Sequence, residues 1–507
     1  MRFLHDPIGI SNWPAVAAWH KVRSFKPRER VAPSVSGEAS MTTRIEHDLL
    51  GDREVPADVY WGVHTLRAVE NFPITGQTIA GYGDLIRALA CIKQAAAQAN
   101  RDLGLLPAPI AQAIIAACEE IRAGRWHEQF VVDAIQGGAG TSTNMNANEV
   151  IANRALELMG HAKGEYQHLH PNEHVNLCQS TNDVYPTALR LAAFWGANKL
   201  LTRMAALREA FAVKADEFKD YLKMGRTQLQ DAVPMTLGQE FMTYTVMLQE
   251  DEQRLMEASA LMLEINLGAT AIGTGITAHP DYARLACLHL SELSGHTLLT
   301  APNLIEATQD CGAFVQLSGV LKRIAVKLSK TCNDLRLLSS GPRAGFGEIN
   351  LPARQAGSSI MPGKVNPVIP EVVSQVAYEV IGNDVTITMA AEAGQLQLNA
   401  FEPVIAYSLF RSMGHLAAAC ATLTDNCVKG ITANRERLHA SVENSIGLVT
   451  ALNPIIGYAA ATNVAAQAHA TGGSVADIVL EQGLLSREQL DLLLKPEELT
   501  RPRWVTV

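Results

Sequence analysis

Apolar residues recur at helical spacing over much of the chain. Leu200, Met204 and Leu207 fall at positions i, i+4 and i+7, which places their side chains on one face of an α-helix. Residues 314–328 repeat the same alternation of three and four. Stripes of this kind predict amphipathic helices that pack against one another along their length.

Proline interrupts a helix interior at a cost of about 3 kcal/mol, so long gaps between prolines mark where long helices can run. Helices of such length cannot bury their apolar stripes within one small domain, so they predict a long bundle that partner subunits complete. Five gaps of this kind cover residues 187–233, 235–279, 303–341, 371–402 and 404–453.

Shorter elements flank this bundle. On the N-terminal side, turns alternate with shorter helices, one beginning near Asp84 and another after Pro109. On the C-terminal side, Ser474 caps one short helix, and Ser486 opens the capping sequence of another. A chain of 507 residues is too long for one compact core. We predict an N-terminal extension (1–40), a mixed helical domain (41–181), a central long-helix domain (182–436) and a small C-terminal helical domain (437–507).

Composition narrows the class of protein. Aromatic residues make up 6% of the chain and hydrophobic residues 48%, a balance that favours a mainly α-helical globular fold. The formal charge is −9 and no basic stripe occurs, which argues against nucleic acid as a partner. No apolar run approaches the roughly 20 residues that cross a membrane. The eight cysteines are scattered without a CxxC pair, which is typical of reduced thiols in a cytoplasmic protein.

The first forty residues differ from the rest. They carry six Lys or Arg against three acids and show no sustained apolar period. They lack the apolar segment of a secretory signal, although an Arg-rich, acid-poor stretch fits a transit peptide. We favour another interpretation, an extension upstream of a start at Met41, and expect the remaining chain to fold without it.

Four segments rich in small hydroxyl and amide residues interrupt the helical pattern. Singly, each is typical of a helix cap or a turn. The first is not a dinucleotide fingerprint, because Thr143 stands where the last glycine would be. Together they supply many neutral hydrogen-bond donors and one lysine, Lys364, which suits a small substrate that carries carboxylates. The segments are residues 137–146, 170–183, 225–231 and 357–367.

The fourth segment has the composition of a loop that closes over an anion. Gly357 permits an unusual turn, and Ser358 and Ser359 bring together two hydroxyls and their backbone N–H groups. Lys364 and Asn366 add a charge and an amide at alternate positions. Such a loop can cover a carboxylate and stabilise negative charge as it develops.

This segment also carries a family resemblance. Residues 357–367 read Gly-Ser-Ser-Ile-Met-Pro-Gly-Lys-Val-Asn-Pro, which resembles the GSSxMPxKxNP signature of the aspartase/fumarase superfamily. The other three segments resemble the remaining conserved regions of that superfamily in the same order, and the similarity runs from about Arg44 to the C-terminal region. The resemblance implies three largely helical domains per subunit and a homotetramer whose long helices form a twenty-helix bundle. It also implies active sites that combine segments from three subunits.

Longer runs place the chain nearer to the aspartase branch than to the fumarase branch. Residues 46–57, 368–373 and 393–399 resemble aspartases. Gln228 stands where fumarases place His, whereas His170 follows the fumarase pattern. We therefore expect the elimination of ammonia from L-aspartate to give fumarate, with the hydration of fumarate to L-malate as the alternative.

A non-catalytic structural role is a third interpretation. It does not explain why Ser358, Lys364 and Asn366 occur together at the signature positions. Glu173 departs from the Asp that is usual at its position in both branches. His170 and His174 are compatible either with a second anion site or with ordinary capping.

The resemblance implies a role for each site residue. Ser358 would be the base that removes the Cβ proton, and Glu371 would orient the residue at position 228. No cofactor or metal ligand is expected, although a divalent cation such as magnesium could activate the reaction. The β-carboxylate would be held by Thr141, Ser180, Thr181 and Ser359, the α-carboxylate by Thr227, Lys364 and Asn366, and the amino group by Asn182 and Gln228.

Overall fold

The computed structural model describes residues 42–501. The extension 1–40 and the expected start at Met41 lie outside these residues. The described part of the chain is mainly helical, as predicted. None of its helices is both long and apolar enough to cross a membrane.

The helices are α1 (Val63–Asn71), α2 (Gly83–Asp102), α3 (Ala108–Arg122), α4 (Thr141–Leu158), α5 (Thr181–Glu217), α6 (Leu237–Ala260), α7 (Tyr282–Ser294), α8 (Leu304–Ala307), α9 (Gly312–Leu338), α10 (Val368–Glu392), α11 (Glu402–Asn426), α12 (Arg435–Glu443), α13 (Leu448–Ile456), α14 (Tyr458–Thr471), α15 (Val475–Glu481), α16 (Arg487–Leu493) and α17 (Pro496–Leu499).

Short strands form four two-stranded sheets in the described residues. The strands are β1 (Thr43–Asp48), β2 (Gly51–Pro56), β3 (Leu222–Thr227), β4 (Gln230–Thr236), β5 (Glu264–Ile265), β6 (Leu299–Thr300), β7 (Ile349–Asn350) and β8 (Thr432–Ala433). β5 and β6 run parallel, and the other three pairs are antiparallel.

Five long helices form the centre of the molecule. Helices α5, α6, α9, α10 and α11 have 37, 24, 27, 25 and 25 residues. α5 packs against α6 and α11, and α9 packs against α6 and α10. The predicted apolar stripes face this core, since Leu200, Met204 and Leu207 are all buried. The prediction of a long-helix bundle from the proline gaps is therefore confirmed.

The C-terminal region has an apolar cluster of its own. Val442, Leu452 and Val464 belong to it, and Leu222 of β3 joins it from the central part of the chain. Ser474 and Ser486 cap α15 and α16 through side-chain hydrogen bonds, as the sequence predicts. The domain boundaries at 181 and 436 stay a prediction.

Candidate active site

The first polar segment is a turn followed by the start of a helix, whereas the sequence predicts a loop throughout. Gly138 and Gly140 both have φ of +89°, and α4 begins at Thr141. A Cβ on Gly140 would lie 2.3 Å from the ring of Tyr185, so only glycine fits there. The Thr141 side chain is exposed, and its Oγ1 donates to the carbonyl of Gly138 at 2.8 Å.

The second segment begins helix α5 with a capping box. Ser180 Oγ accepts from the N–H of Asn182 at 3.2 Å, and Asp183 Oδ1 accepts from the N–H of Ser180 at 3.0 Å. Asp183 Oδ2 also accepts from the N–H groups of Gly268 and Thr270. Burial raises the pKa of Asp183 to about 6 despite these donors. The cap therefore fixes the backbone that presents Ser180, Thr181 and Asn182.

Amide side chains join the first two segments. Asn144 of α4 donates through Nδ2 to Thr181 Oγ1 at 3.1 Å and to Asn176 Oδ1 at 3.2 Å. The fully buried Lys93 donates to Asn176 Oδ1 at 2.9 Å and to Gln179 Oε1 at 2.9 Å. Burial lowers the pKa of Lys93 to about 7. With its oxygen already accepting, Thr181 has its O–H available to donate to a ligand.

A proline inside α5 determines how Asn182 is held. Pro186 has no N–H to donate to the carbonyl of Asn182. That carbonyl instead accepts from Asn266 Nδ2 at 3.0 Å, and Asn182 Nδ2 donates to the carbonyl of Ala271 at 2.8 Å. Asn182 is thus tied to the 264–271 segment on both its backbone and its side chain.

The third segment is the tip of a β-hairpin. Gln228 and Leu229 have φ of 53° and 63°, values typical of a two-residue type I′ turn between β3 and β4. Thr227 pairs with Gln230 across the turn. The side chains of Thr227 and Gln228 are exposed at this tip, where they can meet a ligand outside their own subunit's core.

The fourth segment forms a loop before α10 that hydrogen bonds close at its base. The N–H of Gly357 donates to the carbonyl of Lys364 at 2.7 Å, and Asn366 Nδ2 donates to the carbonyl of Gly357 at 2.8 Å. Ser358 Oγ accepts from the N–H groups of Ile360 at 3.1 Å and Met361 at 2.8 Å. Two converging donors on one hydroxyl oxygen are suited to stabilising negative charge there.

Lys364, Asn366 and Glu371 line one cavity of about 840 Å³. Ser339 to Pro342 also line this cavity. Thr141, Ser180, Gln228 and also Ser358 are not among its lining residues. In the described residues no hydrogen bond joins the site residues of the first two segments, of the third and of the fourth to one another, so we treat them as three groups. These are the α4–α5 group (Thr141 and Ser180 to Asn182), the hairpin tip (Thr227 and Gln228) and the 357–371 loop.

The histidines of the second segment act as caps. His170 Nδ1 accepts from the N–H groups of Asn172 and Glu173, and His174 Nδ1 accepts from the N–H of His170 at 2.8 Å. Burial lowers the pKa of both imidazoles, and only a neutral ring nitrogen can accept. The capping interpretation accounts for these contacts, and the second anion site stays a prediction.

One cluster in the described residues has the composition of a metal site. His161, Glu165 and His168 place potential ligand atoms within 4.8 Å of one another. The two imidazole rings, however, stack with centroids 3.8 Å apart and planes 11° apart. Their in-plane lone pairs then run side by side and do not converge on one point, so this arrangement does not favour chelation.

Sequence reasoning did not single out Lys93 or Asn144 as supports of the site. Asn144 lay inside the first named segment, so its position gave a signal. Lys93 is the one charged residue in 90–99, where only Gln94 and Gln98 are otherwise polar, and a lone charge among apolar residues is a signal of a buried, paired group.

Comparison with known proteins identifies the family. A family model described as Lyase matches residues 51–382, and one described as Fumarase C C-terminus matches residues 448–501. The aspartate ammonia-lyase of Pseudomonas aeruginosa is 60% identical over 465 residues, 92% of this chain and 98% of that protein. That of Helicobacter pylori is 59% identical over 459 residues, with 90% and 98% covered. That of Escherichia coli K12 is 57% identical over 466 residues, with 92% and 98% covered.

Solved structures that are similar to this chain belong to related lyases. The fumarate lyase:delta crystallin of Brucella melitensis, bound to cobalt, is 57% identical with a TM-score of 0.89, over 91% of this chain and all of that one. The class II fumarase of Schistosoma mansoni is 36% identical with a TM-score of 0.86, over 90% and 99%. Because a lyase model spans more than half of the sequence and relatives at 57–60% identity span at least 90% of it, the chain belongs to the aspartase/fumarase superfamily.

Proposed function

We propose that this protein is an aspartate ammonia-lyase, which converts L-aspartate reversibly to fumarate and ammonia. The observation that carries the proposal is the 57–60% identity, over nearly their whole length, to relatives that bear this name. Gln228 at the hairpin tip supports it, because it replaces the His that fumarases place there.

The chemical difficulty of the reaction is a weakly acidic Cβ–H bond. In the proposed mechanism Ser358 Oγ, as an alkoxide that has lost its own proton to solvent, takes the Cβ proton, and the electrons of that bond move into the β-carboxylate to give a dianionic aci-carboxylate. When this intermediate collapses, the Cα–Cβ double bond forms and the Cα–N bond breaks. The nitrogen leaves as ammonia, and the serine returns its proton to solvent. The rate then depends on how well the site stabilises the added charge.

Ser358 is the residue best supported as the base. Its Oγ accepts two backbone N–H groups, which would lower the free energy of an alkoxide at that atom. The exposed Ile360 and Met361 give the same loop an apolar surface. Closure of the loop would bring this surface over the substrate and exclude water.

The remaining side chains are assigned to the two carboxylates and the amine. The developing charge on the β-carboxylate would be stabilised by the α4–α5 group, where Thr181 has its O–H available. The α-carboxylate would pair with Lys364, beside Asn366, and with Thr227 of the hairpin tip. Glu371 would orient Gln228 from behind. Thr141, Ser180 and Ser359 would complete the β-carboxylate pocket, and Asn182 with Gln228 would lie near the amine.

We further propose that the protein is a homotetramer. The long helices expose large apolar side chains that a lone subunit would leave in water, and such surfaces mark sites of association. Shared long helices would then form a twenty-helix bundle. Among the exposed apolar residues are Met242, Val246, Met256, Val326, Val385 and Met389.

Composition supports the remaining parts of the proposal. All eight cysteines are buried and free, which fits a reducing compartment, and we propose the cytoplasm. The mechanism needs no cofactor, and magnesium would act only as an activator. Neither a membrane nor nucleic acid is a proposed partner, and for nucleic acid the charge of −9 supports this.

One assay tests the proposed function. Purified protein is mixed with L-aspartate or with L-malate, and the absorbance of fumarate is followed. We expect fumarate to form from L-aspartate alone. Fumarate from L-malate alone would establish the alternative, a fumarate hydratase, which the likeness to the Schistosoma mansoni enzyme keeps open.

A further inference from the structure

A buried carboxylate joins the segment that precedes the Ser358 loop to the strand that leads into the hairpin tip. Glu348 is 2% exposed. One carboxylate oxygen lies 2.9 Å from Lys223 Nζ, and the other lies 2.6 Å from a terminal nitrogen of Arg226. Both cations belong to β3, the strand that leads into Thr227 and Gln228. A single carboxylate therefore contacts two basic side chains of that strand, the buried Lys223 and the partly buried Arg226.

Arg226 is fixed on more than one side. Its guanidinium lies over the ring of Phe346 at 4.2 Å, and Phe346 and Glu348 belong to the same segment. Arg226 directly precedes Thr227. Its position therefore sets where the hairpin tip begins.

The backbone of the hairpin does not fix its tip unaided. The register between β3 and β4 shifts between Met224 and Arg226, and an irregular ladder of this kind lets a strand bend. Arg226 lies just beyond the irregularity. The pairing of its side chain with Glu348 therefore constrains a part of the strand that the ladder leaves less defined.

Glu348 is itself held firmly. Its N–H donates to the carbonyl of Leu338 at 2.9 Å, and its carbonyl accepts from the N–H of Asn434 at 2.9 Å. The nearby residues Ser339 to Pro342 form a wall of the Lys364 cavity. The backbone of Glu348 is thus bonded beside the wall of the Lys364 cavity, while its side chain contacts Arg226 beside the hairpin tip.

We propose that Glu348 is a positioning residue, which acts through Arg226 to place Thr227 and Gln228 against the substrate. The inference rests on the proposed function, in which this tip binds the α-carboxylate and the amine. Removal of the charge would leave Arg226 without its buried partner, and the guanidinium would move toward water. The tip would follow it, and a displacement of about 1 Å at a binding group can cost up to about 100-fold in rate.

The test is Glu348→Gln, which keeps the volume and removes the charge. We expect kcat/KM for L-aspartate to fall by about 10-fold to 100-fold, with a rise in KM, because the tip binds the substrate in the ground state as well. Glu240→Gln is the matched control. Glu240 pairs with Lys223 at 2.5 Å but not with Arg226, so it should change kcat/KM less than threefold.

A double-mutant comparison separates positioning from general loss of structure. Once Thr227→Ala has removed a side chain of the tip, adding Glu348→Gln should cost less than about threefold more. An equal cost in both backgrounds, an equal loss in Glu240→Gln, or no loss in Glu348→Gln would each overturn the proposal. If Glu348→Gln fails to fold, Glu348→Asp, which keeps the buried charge but shortens its reach, is measured in the same two backgrounds with the same expected non-additivity. Wild-type protein inactive on L-aspartate would instead count against the proposed function.

Discussion

At the scale of single residues, the site relies on groups whose oxygen atoms already accept hydrogen bonds. Ser358 Oγ accepts two backbone N–H groups, and Thr181 Oγ1 accepts from Asn144. An oxygen held in this way is prepared either to carry negative charge or to donate its own proton to a carboxylate. The two hydroxyls can therefore have opposite tasks in one reaction.

Ser358→Ala should remove the base. We expect turnover to fall by more than the roughly 10²–10⁴ typical of a lost general base, because the loop donors also lose the oxygen they stabilise. Far-ultraviolet circular dichroism and size-exclusion chromatography should match wild type. A variant that keeps more than about a tenth of the wild-type rate would exclude Ser358 as the base.

Lys364→Met should weaken binding and turnover together. The ammonium would pair with the α-carboxylate in both the ground state and the transition state, so KM should rise while kcat falls. Titration with a non-reactive dicarboxylate measures the binding part directly. Unchanged affinity for that inhibitor would show that Lys364 does not contact the carboxylate.

Glu402 gives the folded state a pH dependence of known sign. It is 4% exposed, and burial raises its pKa from 4.5 to about 8 although Arg190 opposes the shift. The folded state therefore holds this proton more tightly than the unfolded state, and its stability falls as pH rises from about 4.5 to 8. A glutamine at position 402 cannot ionise, so Glu402→Gln should not lose stability in this way as pH rises.

We expect Glu402→Gln to be more stable than wild type at pH 8 by on the order of 2 kcal/mol. The advantage should shrink toward pH 5. Urea unfolding of wild type and variant at the two pH values measures it, with Glu481→Gln at an exposed position as the control. A constant difference across the range would mean that Glu402 does not titrate in this window.

At the scale of elements, the long helices were predictable because they largely coincide with the stretches that contain no proline, although α5 begins before its stretch and contains Pro186. Helix α4 was missed for a physical reason. Its residues from Thr143 to Asn153 are all buried, including Asn144, Asn146, Asn148 and Glu149, so the helix has no one-sided apolar stripe. The α4–α5 group was predicted from its composition. The hydrogen bonds from Lys93 to Asn176 and Gln179 could not be predicted, because these residues are distant in the sequence.

The hairpin of β3 and β4 was missed because its turn lacks the usual signal. A type I′ turn normally carries Asn or Gly, which tolerate positive φ, whereas this one has Gln228 and Leu229. A leucine in this conformation costs about 1 kcal/mol or more. The turn thus stores strain beside residues that are assigned to the site.

Leu229→Gly should relieve this strain and raise the free energy of unfolding by about 1 kcal/mol. Leu299 of β6 is the control, because the two leucines are 63% and 61% exposed but Leu299 has a negative φ. Leu299→Gly should destabilise the protein. Urea denaturation measures the change in the free energy of unfolding for both variants. A loss of stability in Leu229→Gly would contradict the strain argument.

At the scale of the whole molecule, we propose that one subunit holds the parts of the site without assembling them. In the described residues, no hydrogen bond joins the α4–α5 group, the hairpin tip and the 357–371 loop to one another. The long helices meanwhile expose apolar side chains on α6, α9 and α10. Association through these helices would bury them and could bring the three groups of different subunits together.

This arrangement predicts that two inactive variants can restore each other. In a tetramer refolded from equal amounts of Thr141→Ala and Ser358→Ala chains, a site needs an intact α4–α5 group from one subunit and an intact loop from another. Each requirement is met half of the time, so about one quarter of the sites should be unaltered. We expect about that fraction of the activity of wild-type protein refolded in parallel.

The matched control mixes Thr141→Ala with Thr181→Ala. Asn144 joins Thr181 to helix α4 within one chain, so both changes fall in the same group and no chain can supply that group intact. This mixture should stay inactive, which separates true sharing of sites from a general benefit of refolding together. If the first mixture stays as inactive as its parents while wild type recovers, the sites are not shared between subunits. If both mixtures recover equally, the α4–α5 group is not a single unit, and Thr141 and Thr181 act in different sites.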